Sequence, residues 1–183
     1  MRIVLLGAPG AGKGTQGRAL AGRLGVPHIS SGDLLRAQAA ADGELGSRLA
    51  AVLDRGDLVA DDAVLAAVRD ALPAEGGGYV LEGFPRTLRQ AQDLEAVAAP
   101  DAVVHLAVPD AVVRRRLAGR AGAGRKDDIA ATVERRLSRF HREIEPLLDF
   151  YRRSGMLTTV DAAHAPDDVT AAIIEALATA GMR

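Results

Sequence analysis

The chain has 183 residues, enough for one domain with small inserted subdomains and a sizeable core. A formal net charge of −1 gives no overall field for nucleic acid or an acidic membrane, and the lack of cysteine excludes disulfides and thiolate metal sites. With aromatics at only 3%, aliphatic side chains must build that core.

In chain order, a strand is expected at Ile3–Leu6, then the glycine-rich stretch Gly7-Ala8-Pro9-Gly10-Ala11-Gly12-Lys13-Gly14-Thr15, then a helix over Lys13–Leu24. Met1-Arg2 and four apolar residues are too short for the apolar stretch of a signal peptide. No run approaches the ~18 apolar residues of a membrane span, so the cytoplasm is the expected compartment. A weaker strand lies around Val26–Ile29. Ser30 to Val59 interrupts the alternation with two helical patterns, Asp33–Ala41 and Glu44–Asp54, and no strong strand. A helix at Asp61–Ala71 precedes a strand at Tyr79–Leu81, and a helix at Leu88–Val97 precedes a strand at Val103–Val108. After a helix at Ala111–Leu117, Gly119 to Arg125 reads as a loop. A long helix follows at Asp128–Tyr151, with Ile129, Val133, Leu137, Phe140, Ile144 and Leu148 at three- and four-residue spacing. Asp127 or Asp128 is its expected N-cap, and Pro146 is expected to kink or end it. A strand at Leu157–Val160 and a helix at Asp167–Ala180 complete the series. This alternation argues an α/β fold, a parallel sheet with helices on both faces.

Strand, glycine-rich loop and helix start together form the context of a phosphate-binding loop. Glycines let backbone N–H groups turn toward an anion, the helix start adds a positive dipole end, and Lys13 can reach the outer phosphates. Of 23 basic residues, all but Lys13 and Lys126 are arginine, so one of two lysines stands where such a loop needs it. Gly14 occupies the place where most such loops carry a metal-binding Ser or Thr, and Thr15 comes one residue later. This favours a metal held mostly through water over a standard switch GTPase. That rival also needs an Asn-Lys-x-Asp motif, and the chain contains no asparagine.

Tyr79-Val80-Leu81-Glu82-Gly83-Phe84-Pro85-Arg86 puts an acid at the carboxyl end of a strand, where ligands bind in open α/β sheets. Such an acid suits Mg²⁺ directly or through water. Arg36, Arg86, Arg116, Arg120, Arg125 and Arg136 come from separate segments, as phosphoryl transfer by charge neutralisation requires. Spacing alone does not single them out from the other arginines. Arg114, Arg115, Arg135 and Arg139 read as solvated helix residues.

With Gly7–Thr15, Ser30-Ser31-Gly32-Asp33-Leu34-Leu35-Arg36, Gly56-Asp57-Leu58-Val59, Gly83-Phe84-Pro85-Arg86 and Arg125-Lys126-Asp127-Asp128 all present, the chain resembles an adenylate kinase over nearly its whole length. The resemblance implies the P-loop nucleoside monophosphate kinase fold with five parallel strands. It implies a core of 1–29, 60–118 and 129–183, a monophosphate-binding insert at 30–59 and a short lid at 119–128. Only four residues separate Arg120 from Arg125, which leaves no room for the zinc-binding hairpin of long-lid members. The implied reaction is MgATP + AMP ⇌ 2 ADP, in a cytoplasmic monomer that needs neither nucleic acid nor membrane.

Residue by residue, Gly10, Ala11, Gly12, Lys13, Gly14 and Thr15 would hold the ATP phosphates, and Arg116 would pack on the ATP adenine. Arg120, Arg125 and Arg136 would clamp phosphates with Lys13 and Arg86, and Asp127 and Asp128 match acids of lid closure. Arg36 and Arg86 would grip the AMP phosphate with Arg125 and Arg136, while Ser31, Asp57, Val59, Gly83 and Gln90 match the rest of its pocket. Asp33 and Glu82 would serve the Mg²⁺ shell through water, and Asp33 is also an expected helix cap. His28, His105, His141 and His164 have no family role.

The match has departures. Glu82 stands where most members have aspartate, which moves the carboxylate by about 1.3 Å. Asp57 and His164 replace common lysines, Ser31 replaces a common threonine, and Gly17 weakens the first helix by roughly 1 kcal/mol relative to Ala. A UMP/CMP kinase is the nearest rival, and Ser31 and Gln90 favour AMP over it.

Overall fold

The structure is a computed structural model that describes residues 1–41, 43–55, 57, 59–73, 77–121, 130–179 and 181; for Leu45, Arg120 and Ala121 only the backbone is described. Five strands, β1 (Arg2–Gly7), β2 (His28–Ser30), β3 (Tyr79–Glu82), β4 (Ala102–Ala107) and β5 (Leu157–Asp161), form one sheet. Their order is β2-β3-β1-β4-β5, and every pairing is parallel. Each crossover between parallel strands is long enough to carry helices, which cover both faces. That explains why β1 reads as an unbroken apolar run: Ile3, Val4, Leu5 and Leu6 are all at most 3% exposed.

Successive residues point to opposite faces of the sheet. Ile3, Leu5, Val80, Val104 and Leu106 pack with Leu20, Leu117, Leu137 and Ile173 on one side. Val4, Leu6, Leu81 and Val103 pack with Leu35, Val68, Leu94, Leu147 and Tyr151 on the other. The first side is built by α1 (Lys13–Leu24), α6 (Asp110–Ala121) and α8 (Pro166–Thr179); the second by α2 (Ser31–Ala39), α4 (Asp61–Ala71) and α5 (Leu88–Ala98). The long helix α7 (Ala130–Arg153) serves both, giving Val133 and Leu137 to one core and Ile144, Leu147 and Leu148 to the other. A further helix, α3 (Glu44–Asp54), packs against α2.

Several boundaries differ from the sequence reading. The weak strand begins at His28 rather than Val26 because its register with Val80 and Glu82 sets its length. Helix α2 starts at Ser31, because Ser30 is the residue whose hydroxyl accepts from the Asp33 N–H at 3.3 Å. The cap is therefore Ser30, and Asp33 sits at the third helical position. Helix α6 continues through Gly119 to Ala121, so the first residues assigned to the lid are its last turn. Pro146 lies inside α7 without ending it, since buried residues on both sides hold the helix together. Ile129 and the rest of the lid, 122–128, lie outside the described residues.

The phosphate-binding loop leaves the end of β1 and packs on α6 through Leu117, which is fully buried. A Cβ at Gly10 would sit 2.9 Å from Leu117 Cγ. Leu117→Ala is expected to lower stability by about 3 kcal/mol. Urea unfolding measures that loss, and nucleotide affinity should fall with it because the loop loses its support.

Candidate functional site

The carboxyl ends of the strands define one edge of the sheet. In chain order the path runs from β1 out to β2, returns to β3, then crosses β1 to β4 and β5. Direction thus reverses around β1, the position where open α/β sheets bind ligands. The loop from Gly7 to Gly12 sits there. Gly10 and Gly12 have φ of 81° and 101°, values that favour glycine. Gly12 caps α1 in the left-handed conformation with no side-chain hydrogen bond. The first N–H groups of α1, from Lys13, Gly14 and Thr15, therefore lack intrahelical acceptors and can face an anion. Lys13 Nζ donates to its own loop, to Gly7 O at 2.7 Å and Ala8 O at 2.8 Å. Arg116, from α6, donates to Ala11 O at 3.4 Å and to Ala163 O and His164 O at 3.3 Å, so it bridges this loop and the one after β5.

Two cavities open on this edge. The first is lined by Gly7, Pro9, Lys13, Gly83, Arg86, Arg136 and Arg139, with Phe140 and Ile144 at its apolar side. The second is lined by Ser31, Arg36, Asp57, Val59, Gly83, Arg86, Gln90 and Arg136, among others. Gly83, Arg86 and Arg136 belong to both. Every residue expected on the acceptor side is thus gathered around one cavity except Arg125, which lies outside the described residues. Asp127 and Asp128 lie outside them as well, and so does the Arg120 side chain.

Positive charge converges where the cavities meet. Arg86 Nε donates to Gly83 O at 2.6 Å, which aims the guanidinium into the cleft. Enclosure by the protein pushes its pKa down to about 10; Arg136 acts in the same direction, Glu82 opposes it, and Arg36 and Arg139 add to the lowering. The side chain still meets cleft water, which moderates that desolvation, and it is fully cationic at neutral pH. Such a group is stabilised by a phosphate, with which it makes bidentate charge-assisted bonds.

Arg139, expected as a solvated helix residue, stands in the cleft instead. It lines the first cavity and is 28% exposed, with a 3.5 Å ion pair to Asp57. Its position one turn after Arg136, on the same face of α7, is the signal that could have found it. Arg114 instead pairs with Glu134 on the surface, and Arg135 donates to Arg55 O.

The two candidate metal carboxylates come from the ends of adjacent strands. Glu82 ends β3, in register with Ser30, and Asp33 lies one turn further on. Carboxylate oxygens suit a hard divalent cation, and a Cβ at Gly14 would be 3.0 Å from Glu82 Oε1, so Glu82 stands at the foot of the phosphate loop. The donor set therefore fits the group. Among the described residues no three acids or histidines cluster as a self-sufficient metal site. Asp33 is also ion-paired with Arg36.

The acceptor cavity holds one polar orphan. Ser31 is 1% exposed, and its Oγ has no hydrogen-bond partner among the described residues. Gly83 lies over it, where a Cβ would be 2.6 Å from that oxygen.

Gly17 lies against the ring of His28. A Cβ there would lie 2.5 Å from His28 Nε2 and 2.6 Å from its Cδ2. His28 fills the space and brings Nε2 to 3.6 Å from Glu82 Oε1. Gly17→Ala is expected to destabilise by about 1–3 kcal/mol through overpacking, although Ala is the better helix former. In a His28→Ala background the same substitution should become neutral or stabilising; urea unfolding of the four proteins in the cycle checks the change of sign.

Comparison with known proteins gives a consistent result. The family model described as adenylate kinase matches residues 5–156. The chain is 42% identical to the adenylate kinase of Thermobifida fusca (strain YX), with 97% of this chain and 98% of that one covered. It is 43% identical to the adenylate kinase of Phenylobacterium zucineum (strain HLK1), with 97% of each covered. For the adenylate kinase of Stenotrophomonas maltophilia (strain R551-3) the identity is 42%, over 97% of this chain and 99% of the relative.

Proposed function

The chain belongs to the adenylate kinase family, and on that premise we propose that it catalyses MgATP + AMP ⇌ 2 ADP across the two joined cavities. It is a nucleoside monophosphate kinase, a phosphotransferase acting on adenine nucleotides. The observation that carries the assignment of the two sides is the sharing of Gly83, Arg86 and Arg136 by both cavities. A phosphoryl group passing from donor to acceptor crosses that shared point.

On the donor side, Gly10, Gly12, Gly14 and Thr15 present backbone N–H groups to the ATP phosphates, Ala11, whose own N–H donates to Ala8 O at 3.0 Å, shapes the loop between them, and Arg116 packs against the adenine. Lys13 exchanges its carbonyl partners for phosphate oxygens. On the acceptor side, Arg36 and Arg86 hold the AMP phosphate, with Asp57 at the edge. Ser31, Val59, Gly83 and Gln90 surround the base; the unpartnered Ser31 hydroxyl supports this reading. Arg136 neutralises the group in transit, with Arg120 and Arg125. Little proton chemistry is needed, because positioning and electrostatics carry most of such a transfer.

The family uses ATP with a divalent metal, and the ion here is Mg²⁺, with no zinc. Asp33 and Glu82 would hold it through water, where it would supply charge neutralisation on the donor phosphates. The core comprises 1–29, 60–118 and 129–183, with a moving insert at 30–59 and a lid at 119–128. Their closure, aided by Asp127 and Asp128, excludes water and so prevents ATP hydrolysis. No described helix is long and apolar enough to cross a membrane. The resemblance to the family supports a cytoplasmic monomer.

A coupled assay with AMP, CMP, UMP and dAMP, with and without Mg²⁺, tests the reading; AMP should be strongly preferred and turnover should require the metal. Preference for CMP or UMP would replace it with a pyrimidine kinase. Arg86→Ala and Arg120→Ala should each lower turnover about 10³-fold. Steady-state kinetics of Glu82→Ala should show a far larger loss in kcat than in AMP affinity, and equal turnover would remove Glu82 from the metal shell.

A further inference from the structure

Asp61 opens α4, half-buried, behind the wall of the acceptor cavity. Its Oδ1 accepts a hydrogen bond from Gln90 Nε2 at 2.6 Å. Gln90 lies in the first turn of α5 and is 2% exposed, with its backbone N–H held by Thr87 Oγ1 at 3.2 Å. The other end of its amide is engaged too, because Gln90 Oε1 accepts from Arg86 N–H at 2.7 Å. Both bonds demand the same amide orientation. A flipped amide would set Oε1 against a carboxylate, acceptor facing acceptor. It would also set Nε2 against a backbone N–H, donor facing donor.

We infer that Asp61 is the positioning residue that makes the acceptor pocket select adenine over 6-oxopurines, by locking the orientation of the Gln90 amide. This inference rests on the reading of Gln90 as a contact to the acceptor base. After the two bonds above, the amide retains one oxygen lone pair and one N–H. Adenine offers an N6–H donor beside an N1 acceptor. Hypoxanthine offers an O6 acceptor beside an N1–H donor, the reverse pattern. An amide free to rotate by half a turn pairs equally well with either edge. One held by a carboxylate on one side and a backbone N–H on the other pairs with only one of them. Asp61 supplies the stronger of the two restraints, since its acceptor is charged. It touches no substrate itself, and its effect passes entirely through Gln90.

The test compares AMP with IMP as phosphoryl acceptors for wild type, Asp61→Asn and Asp61→Ala. The readout is the ratio of kcat/KM for the two substrates on the same enzyme sample. A merely structural defect that reduces the folded fraction cancels from that ratio. Loss of one charge-assisted bond is expected to lower the AMP preference about tenfold in both variants, with the KM for ATP unchanged. Asp61→Asn keeps the shape of the side chain, so it preserves the measurement if Asp61→Ala fails to fold. A preference that stays within threefold of wild type in the folded variants overturns the role of Asp61. Wild-type enzyme that forms no ADP from ATP and AMP overturns the parent reading instead, and the wild-type control tells the two failures apart.

Discussion

Parallel alignment of the strands is the constraint on which the rest depends. Because all five run the same way, their carboxyl ends share one edge, and each chain exit from that edge brings a functional group with it. β1 delivers the phosphate loop, β2 delivers Ser30 and Ser31, β3 delivers Glu82, Gly83 and Arg86, and the turn after β5 delivers carbonyls that hold Arg116. Helix α7 adds Arg136 and Arg139 from across the cleft. An antiparallel sheet of the same length would distribute these groups between two edges some 15–20 Å apart, a distance set roughly by strand length.

Charge concentration follows from that geometry and must be balanced locally. Among the described residues, Arg86 has cationic neighbours in Arg36, Arg136 and Arg139, and acids answer them at Glu82 near Arg86, Asp33 on Arg36, Asp57 on Arg139 and Glu143 in the lining of the first cavity. A site arranged this way favours ligands with several negative oxygens that can reach more than one guanidinium. Asp57 pairs with Arg139 and with Arg55, so one carboxylate joins the end of the insert to α7.

What the sequence could disclose depended on how local the governing interaction is. The phosphate loop was legible because its backbone conformation demands glycine at Gly10 and Gly12, and that demand is written at those positions. The strands were legible as apolar runs, and the stripe on α7 by its spacing. The start of β2 was read two residues early, because its bounds come from pairing with β3 rather than from its own composition. Pro146 does not end α7 for the same reason, since the packing of Ile144, Leu147 and Leu148 around it outweighs one missing N–H. Arg139 carried one local mark, its place one turn after Arg136, and His28 and Asp61 carried none. Their partners Asp57, Glu82 and Gln90 lie dozens of residues away, and nothing in a stretch of ten residues announces such a pairing.

The nesting of His28 against Gly17 ties together two positions on different elements. Where the His28 ring stands, it fills the volume a methyl group at 17 would take, so a larger residue at 17 requires the ring to turn away or to be replaced. Turning it away would also carry Nε2 from its place 3.6 Å from Glu82 Oε1. The smallest side chain of the first helix thus governs where an imidazole rests beside the carboxylate at the end of β3, and a change at either position has its effect read at the other.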